Sequence, residues 1–239
     1  MARRESYGRA RVQIAETRAA TLLKRLTRFT CLVDVGGREE RVFLPNSGRL
    51  GELLQPGRRV FLVPQGTPKR KTGYDLAIVS LGNLLVSVDA RIPNKLFAVA
   101  LASPALPHFE GYSILRSEVP LEHGRLDFLL GRGDERCLVE VKSVTLVKNR
   151  TALFPDAPTE RGTRHLCSLI AARGEGQGAA VMFIIQRSDA HSFSPYDTVD
   201  PRFGQVLRHA AQHGVGVYAF CCRVSRNGLS LAGEVSTSL

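Results

Sequence analysis

No apolar run in this chain approaches the roughly 18 residues that a bilayer-spanning helix needs. The longest, Ala179 to Ile185, has the length of a strand, which argues against a membrane partner. The N-terminus lacks the apolar stretch of a secretion signal, because Gln13, Glu16, Thr17 and Arg18 interrupt the place it would occupy, and the expected location is the cytoplasm. Cysteine is sparse and unpatterned: five residues, an odd number, without CxxC spacing, so neither a disulfide framework nor a zinc cluster is expected and the thiols read as reduced. Tryptophan is absent, which decides nothing. Acidic residues are short relative to basic ones, 22 against 33, and the net charge of +11 excludes an acidic solvating protein or a neutral carrier. With 44% hydrophobic and 23% charged residues, the 239-residue chain has ordinary globular composition.

The charge is unevenly placed. Residues 1–90 hold 16 Lys and Arg against 8 Asp and Glu, a net +8, whereas residues 91–239 hold 17 against 14, a net +3. The apolar patterning changes at the same point. Before residue 90, five short runs (Leu22 to Val35, Arg41 to Leu44, Arg59 to Val63, Tyr74 to Val79, Leu84 to Val88) are separated by Gly, Pro and Asn punctuation. Strands at that spacing, with only a helical turn at Arg49 to Leu54, predict a small OB-type barrel. The run Lys69-Arg70-Lys71, set among Gly66, Pro68 and Gly73, reads as a basic loop between two strands. Together with Lys24, Arg25, Arg28 and Arg49 it forms an electrostatic footprint for nucleic acid. Phe29 and Phe43 either stack on bases or fill the barrel.

After residue 90, helices and strands alternate. Asn94 to Leu101, Thr159 to Arg173 and Pro201 to His213 read as helices. Leu126 to Leu130, Cys137 to Val147, Ala179 to Gln186 and Val215 to Val224 read as strands. The expected architecture is therefore two-domain, a basic barrel over 1–90 and an α/β sheet domain over 91–239. The first two of these strands are joined by Gly131-Arg132-Gly133-Asp134 into a hairpin, where the chemistry concentrates. Glu140 and Lys142 are two apart on one strand and share a face, and Asp127 lies in an otherwise apolar preceding strand where an acid needs a partner. Asp127, Glu140 and the carbonyl of Val141 are the hard oxygen donors that Mg²⁺, or Mn²⁺, prefers, and Glu118 is a candidate fourth ligand. Lys142 would face the attacking water. Asp, twelve residues, then Glu-x-Lys is the pattern of the PD-(D/E)xK nucleases; the alternative is a cross-strand salt bridge on a wet sheet face.

Six blocks in order along the chain carry a resemblance to one family. They are Asn46 to Arg49, Arg91 to Leu96, Arg125 to Leu130, Val139 to Leu146, Phe154 to Gly162 and Arg164 to Leu166, and they resemble the sugar fermentation stimulation protein A (SfsA) family. The resemblance implies an N-terminal OB-like domain, a C-terminal nuclease-like domain, largely sequence-nonspecific DNA binding and a regulatory role in sugar (maltose) utilisation. Two departures are visible. Phe43 stands where the family often has a histidine, and Gly124 where it commonly has a serine; neither touches Asp127, Glu140 or Lys142.

Around this centre, Thr159 reads as the cap of a helix whose start presents Arg161, Arg164 and His165 to phosphate, with a Glu160–Arg164 pair as the alternative. Gln186 ends a strand near the same place. The other histidines (His108, His123, His191, His209, His213) have no ligand spacing. The expected function is DNA binding through the phosphate backbone with metal-dependent phosphodiester hydrolysis; the alternative is a noncatalytic DNA-binding regulator. Homodimerisation stays open, and would set two metal sites on opposite strands.

Overall fold

The computed structural model describes Tyr7 and residues 10–66, 70–121 and 124–239. Lys69 of the expected basic loop, and His123, lie outside the described residues. The first strands are β1 (Arg11–Gln13), β2 (Arg18–Thr27), β3 (Thr30–Asp34), β4 (Glu39–Phe43), β5 (Arg59–Pro64), β6 (Tyr74–Leu81) and β7 (Leu84–Ser87). Strands β2 to β7 form one sheet in the order β4-β3-β2-β5-β6-β7. A parallel contact of β4 with β6, at Phe43 and Asp75, closes β2–β6 into a five-stranded barrel of OB type.

The barrel interior follows from alternation. Ala20 and Leu22 of β2, Cys31 and Val33 of β3, Val42 of β4, Leu62 of β5 and Leu76 of β6 point inward and share one buried cluster. Two elements differ from expectation. The run Leu22 to Val35 is a hairpin turning at Arg28 and Phe29, a turn without Gly, Pro or Asn to mark it, and Leu84–Ser87 extends the sheet beyond the closed circle. At Arg49 to Leu54 a single turn forms, with the Leu53 and Leu54 amides both donating to the Leu50 carbonyl, and its three buried leucines plug the barrel.

The second part contains α1 (Ile92–Leu101), β8 (Ser113–Leu121), β9 (Gly124–Arg132), β10 (Glu135–Val144), β11 (Val147–Lys148), β12 (Thr151–Phe154), α2 (Glu160–Gly174), β13 (Gly178–Ile185), β14 (Ser192–Pro195), α3 (Pro201–Gln212), β15 (Gly216–Ser225) and β16 (Gly228–Thr237). The sheet order is β11-β12-β14-β16-β15-β13-β10-β9-β8. Strand β1 pairs antiparallel with β16, so residues 11–13 belong to this sheet although they precede the barrel. Strands β10, β13 and β15 run parallel at the centre, and β13 between the other two is apolar on both faces. Val139 and Val141 pack with Leu96 and Phe97 of α1, whereas Leu138 and Val144 pack with Leu166 and Leu169 of α2 and Phe203 of α3. The caps are local: Thr159 Oγ1 accepts from the Gly162 amide and Asp200 from that of Phe203.

The sequence reading left out β1, β8, β12, β14 and β16. Strand β8 is mostly exposed at the sheet edge and reads as polar chain, and the register of β16 against β15 shifts at Cys221 and Cys222, which interrupts its alternation. Barrel and sheet meet through specific contacts. The Leu50 amide donates to Asp156 Oδ2 (3.0 Å), and Ser87 bonds Gln186 through both its amide (3.0 Å) and its hydroxyl (2.8 Å). A Cβ at Gly48 would come within 2.7 Å of Asp156 Oδ2, so a larger residue here would press on the carboxylate that accepts the Leu50 amide. Among the described residues no helix is long and apolar enough to cross a membrane.

Candidate functional site

The β9–β10 ladder runs from Arg132 and Glu135 to Phe128 and Val139 and then stops. In the gap beyond it, Asp127 Oδ2 accepts the Val141 amide at 2.8 Å, replacing the missing strand partner. A strand residue sends its N–H and C=O to the same side, so the Val141 carbonyl faces the same gap as Asp127. Asn94, in the first turn of α1, donates to Asp127 Oδ1 at 2.6 Å. Burial and the neighbouring Glu140 charge push the Asp127 carboxyl above its ordinary range, against the two hydrogen bonds that favour its charged form.

Glu140 is 4% exposed. Its Oε1 accepts from the Lys142 ammonium and from His165 Nδ1 (2.5 Å), while its Oε2 is buried with no hydrogen-bond partner among the described residues. Burial opposes ionisation here, but the His165 hydrogen bond and the Lys142 charge outweigh it and hold the carboxyl below its ordinary range. The His165 ring is 2% exposed and takes the Arg161 Nε–H on its Nε2 at 3.3 Å. A guanidinium only donates, so Nε2 is the acceptor and the ring proton sits on Nδ1, pointing at Glu140. The arrangement is a chain from Arg161 through His165 to Glu140.

The donor set fits a divalent cation. Among the described residues no group of three or more Asp, Glu, His or Cys side chains gathers to hold a metal, which speaks against an all-protein cage. Two repelling carboxylates, an orphaned Oε2 and a carbonyl are instead a sparse set of hard oxygens, which a divalent cation could take while keeping part of its water shell. Glu118 lies opposite Asp127 across β8 and β9, because its neighbours Ser117 and Val119 pair with Phe128 and Leu126. Its side chain is largely exposed and ion-paired with Arg125 (2.9 Å), so it would have to leave Arg125 to reach a metal.

The basic residues divide into free and engaged ones. Lys24, Arg49 and Lys71 are exposed on the barrel. Arg25 spends its guanidinium on the carbonyls of Arg49, Arg28 and Thr27, holding the β2–β3 turn against the loop after β4. Arg28 reaches the Ser47 carbonyl (3.3 Å), and Arg70 is bound by Asp75 (2.6 Å) and Gln65 (3.0 Å). Arg161 and Arg164 are exposed at the start of α2, Arg164 at 3.7 Å from Glu160. Gln186 is fully buried and bonds Ser143 Oγ (2.9 Å) and Ser87, next to the Lys142 strand but on the barrel contact.

Sequence reading did not find His165 as the partner of Glu140 or Asn94 as that of Asp127. His165 had one legible signal: it lies on the buried stripe of α2 with Gly162, Leu166 and Leu169, where a histidine needs a polar partner. Asn94 had none, since its partner is brought to it only by the packing of α1 on the sheet. It likewise did not find the Asp75–Arg91–Asp89 cluster, in which the Arg91 guanidinium bridges Asp75 (2.8 Å) and Asp89 (2.6 Å) at the passage from barrel to sheet domain.

Comparison with known proteins covers both parts. Residues 23–88 match the SfsA N-terminal OB domain, and residues 91–228 match the sugar fermentation stimulation protein RE domain. A sugar fermentation stimulation protein homolog of Moorella thermoacetica is 46% identical over 222 residues, 92% of this chain and 96% of the relative. One of Chloroflexus aurantiacus is 47% identical over 216 residues, 90% of this chain and 83% of the relative. The solved structure of Pyrococcus furiosus SfsA in complex with Ca²⁺ superposes with a TM-score of 0.90 at 29% identity, over 95% of this chain and 98% of that one. A barrel and an α/β sheet domain in the same order, matched over nine-tenths of the chain by such relatives, place the chain in the sugar fermentation stimulation protein (SfsA) family.

Proposed function

We propose that the chain binds DNA and hydrolyses its phosphodiester bonds with a divalent metal ion, Mg²⁺ or Mn²⁺. The observation that carries this reading is Asp127 in the gap where β9 leaves β10, with the Glu140 charge close enough to raise its carboxyl and Glu140 Oε2 buried and unpartnered. A merely structural ion pair gives no reason to bury an unsatisfied carboxylate oxygen, which costs about 1–3 kcal/mol. Asp127, Glu140 and the Val141 carbonyl would hold the ion. When bound, it would neutralise charge on the phosphoryl oxygens and ease deprotonation of water. That the solved Pyrococcus furiosus relative is in complex with Ca²⁺ supports the use of a divalent cation.

The chain's own residues would do the remaining work. Lys142, 12% exposed by its side chain and anchored on Glu140 Oε1, would orient the attacking water through its ammonium protons. Asn94 and His165 keep the two carboxylates in place. Arg161 and Arg164 at the start of α2, with Lys24, Arg49 and Lys71 of the barrel, would contact phosphates and give a steep salt dependence with little base discrimination. A second reading, a noncatalytic DNA-binding regulator of sugar metabolism, is favoured by the name the relatives share.

The test is incubation of supercoiled, linear duplex and single-stranded DNA in Mg²⁺, Mn²⁺ or EDTA, beside Asp127→Asn and Lys142→Ala. Metal-dependent cleavage lost in both variants upholds hydrolysis. DNA binding without cleavage in any metal leaves the regulator.

A further inference from the structure

The turn between β2 and β3 exposes an aromatic ring that the barrel does not use. Phe29 is 42% exposed, and neither it nor Phe43 belongs to the buried barrel cluster. The two rings stack on each other instead, with centroids 6.3 Å apart and planes 25° apart. Each carries a guanidinium: Arg28 lies 5.5 Å from the Phe29 centroid and Arg70 lies 5.7 Å from that of Phe43. The result is a row, Arg28, Phe29, Phe43, Arg70, running from the β2–β3 turn across the seam where β4 meets β6 to the basic loop before β6. Asp75, 1% exposed, pins the Arg70 end.

We propose that this row is a stacking platform for unpaired bases, so that the polymer the chain engages is single-stranded DNA. The proposal deepens the nucleic-acid reading above and does not require cleavage. A duplex hides its base faces and offers a surface ring only phosphates and groove edges; an unpaired base offers a π-face to Phe29 and its phosphate to Arg28, which spends only its Nε–H on the Ser47 carbonyl. In barrels of this type, the loops that supply these residues are the ones used for oligonucleotides. The charge complement is present, with Lys24, Arg49 and Lys71 exposed on the same module.

The platform is also placed to feed the sheet domain. Arg28 lines a cleft of about 220 Å³ between the two domains, whose far wall includes Ser143, next to Lys142, and Thr159, the cap of α2.

The test is fluorescence anisotropy of the full chain in EDTA, at fixed salt, with a labelled single-stranded DNA, the duplex of the same sequence and the matching single-stranded RNA. Single strand is expected to bind more tightly than duplex. Phe29→Ala should weaken single-strand binding about 5- to 150-fold and bring the single-strand to duplex ratio toward one, as loss of one base stack requires. Phe29→Tyr, which keeps the ring, should hold the wild-type ratio and shows that the turn still folds. Binding of single-stranded RNA as tight as that of DNA also upholds the platform, because stacking does not read the sugar. Duplex bound as tightly as single strand, or a Phe29→Ala loss equal on both, overturns the inference and leaves backbone binding standing. No binding to any polymer overturns the nucleic-acid reading itself.

Discussion

Removing the His165 ring tests whether Glu140 is held for a ligand or merely buried. His165→Ala deletes the Nδ1–H that meets Glu140 Oε1 at 2.5 Å and leaves the carboxylate with Lys142 alone. A hydrogen bond to a charged group contributes about 1.5–3 kcal/mol, and loss of a side chain that orients a metal-binding carboxylate weakens metal affinity about 10- to 100-fold. His165→Asn places an amide N–H near the former Nδ1 while removing the rest of the ring, so it should recover most of the affinity without recovering the packing. The assay is Mn²⁺ titration of the full chain by calorimetry, with urea unfolding in parallel. Wild-type Mn²⁺ affinity in His165→Ala, together with lower stability, would refute the reasoning and make the ring a packing residue. An asparagine variant as weak as alanine would refute the hydrogen-bond part of it.

Asp127 has a raised carboxyl, so the native state holds that proton more tightly than the unfolded chain. Its contribution to stability is present below the ordinary value of 3.8 and is lost as pH rises through the raised one. Glu140, lowered, has the opposite sign, so the comparison of wild type with Asp127→Asn isolates the effect: urea midpoints in EDTA should diverge in favour of the variant as pH rises, and Mn²⁺ should close the gap. Cys31, Cys137 and Cys221 are buried with thiols pushed up to about 11, and burial raises Cys222 as well, whereas Cys167 is exposed. A thiol reagent at pH 8 should therefore modify one cysteine of the folded chain, and Cys167→Ser should abolish that reaction; two or more fast thiols would contradict the burial. Asp75→Asn breaks the pairs with Arg70 and Arg91, and since both guanidiniums reach solvent, the expected loss is about 1–3 kcal/mol of unfolding free energy rather than the full cost of a buried unpaired charge. No shift of the urea midpoint would show that the cluster is dispensable.

Much of the architecture was legible because it is written at short range. Strand alternation and turn residues marked the barrel, and helix caps such as Thr159 act within four residues of their own position. The Glu140 and Lys142 pair was legible for the same reason, since two residues on one strand share a face whatever the rest of the chain does. Strand β8 was not, because an exposed edge has no apolar alternation to betray it.

Tertiary structure alone decided what those residues meet. Asp127 is half-buried in a gap because the β9–β10 ladder ends at Val139, a length that no local pattern states. Glu140 meets His165 across 25 positions and Asp127 meets Asn94 across 33, and the packing of α2 and α1 on opposite faces of one sheet creates both contacts. Arg25 and Arg70 read as free cations in the sequence and are engaged in the fold, whereas Lys24 and Arg49 are exposed. Residue type and period set which groups a segment can offer, but which partner satisfies a buried charge depends on distances that only the packed layers define.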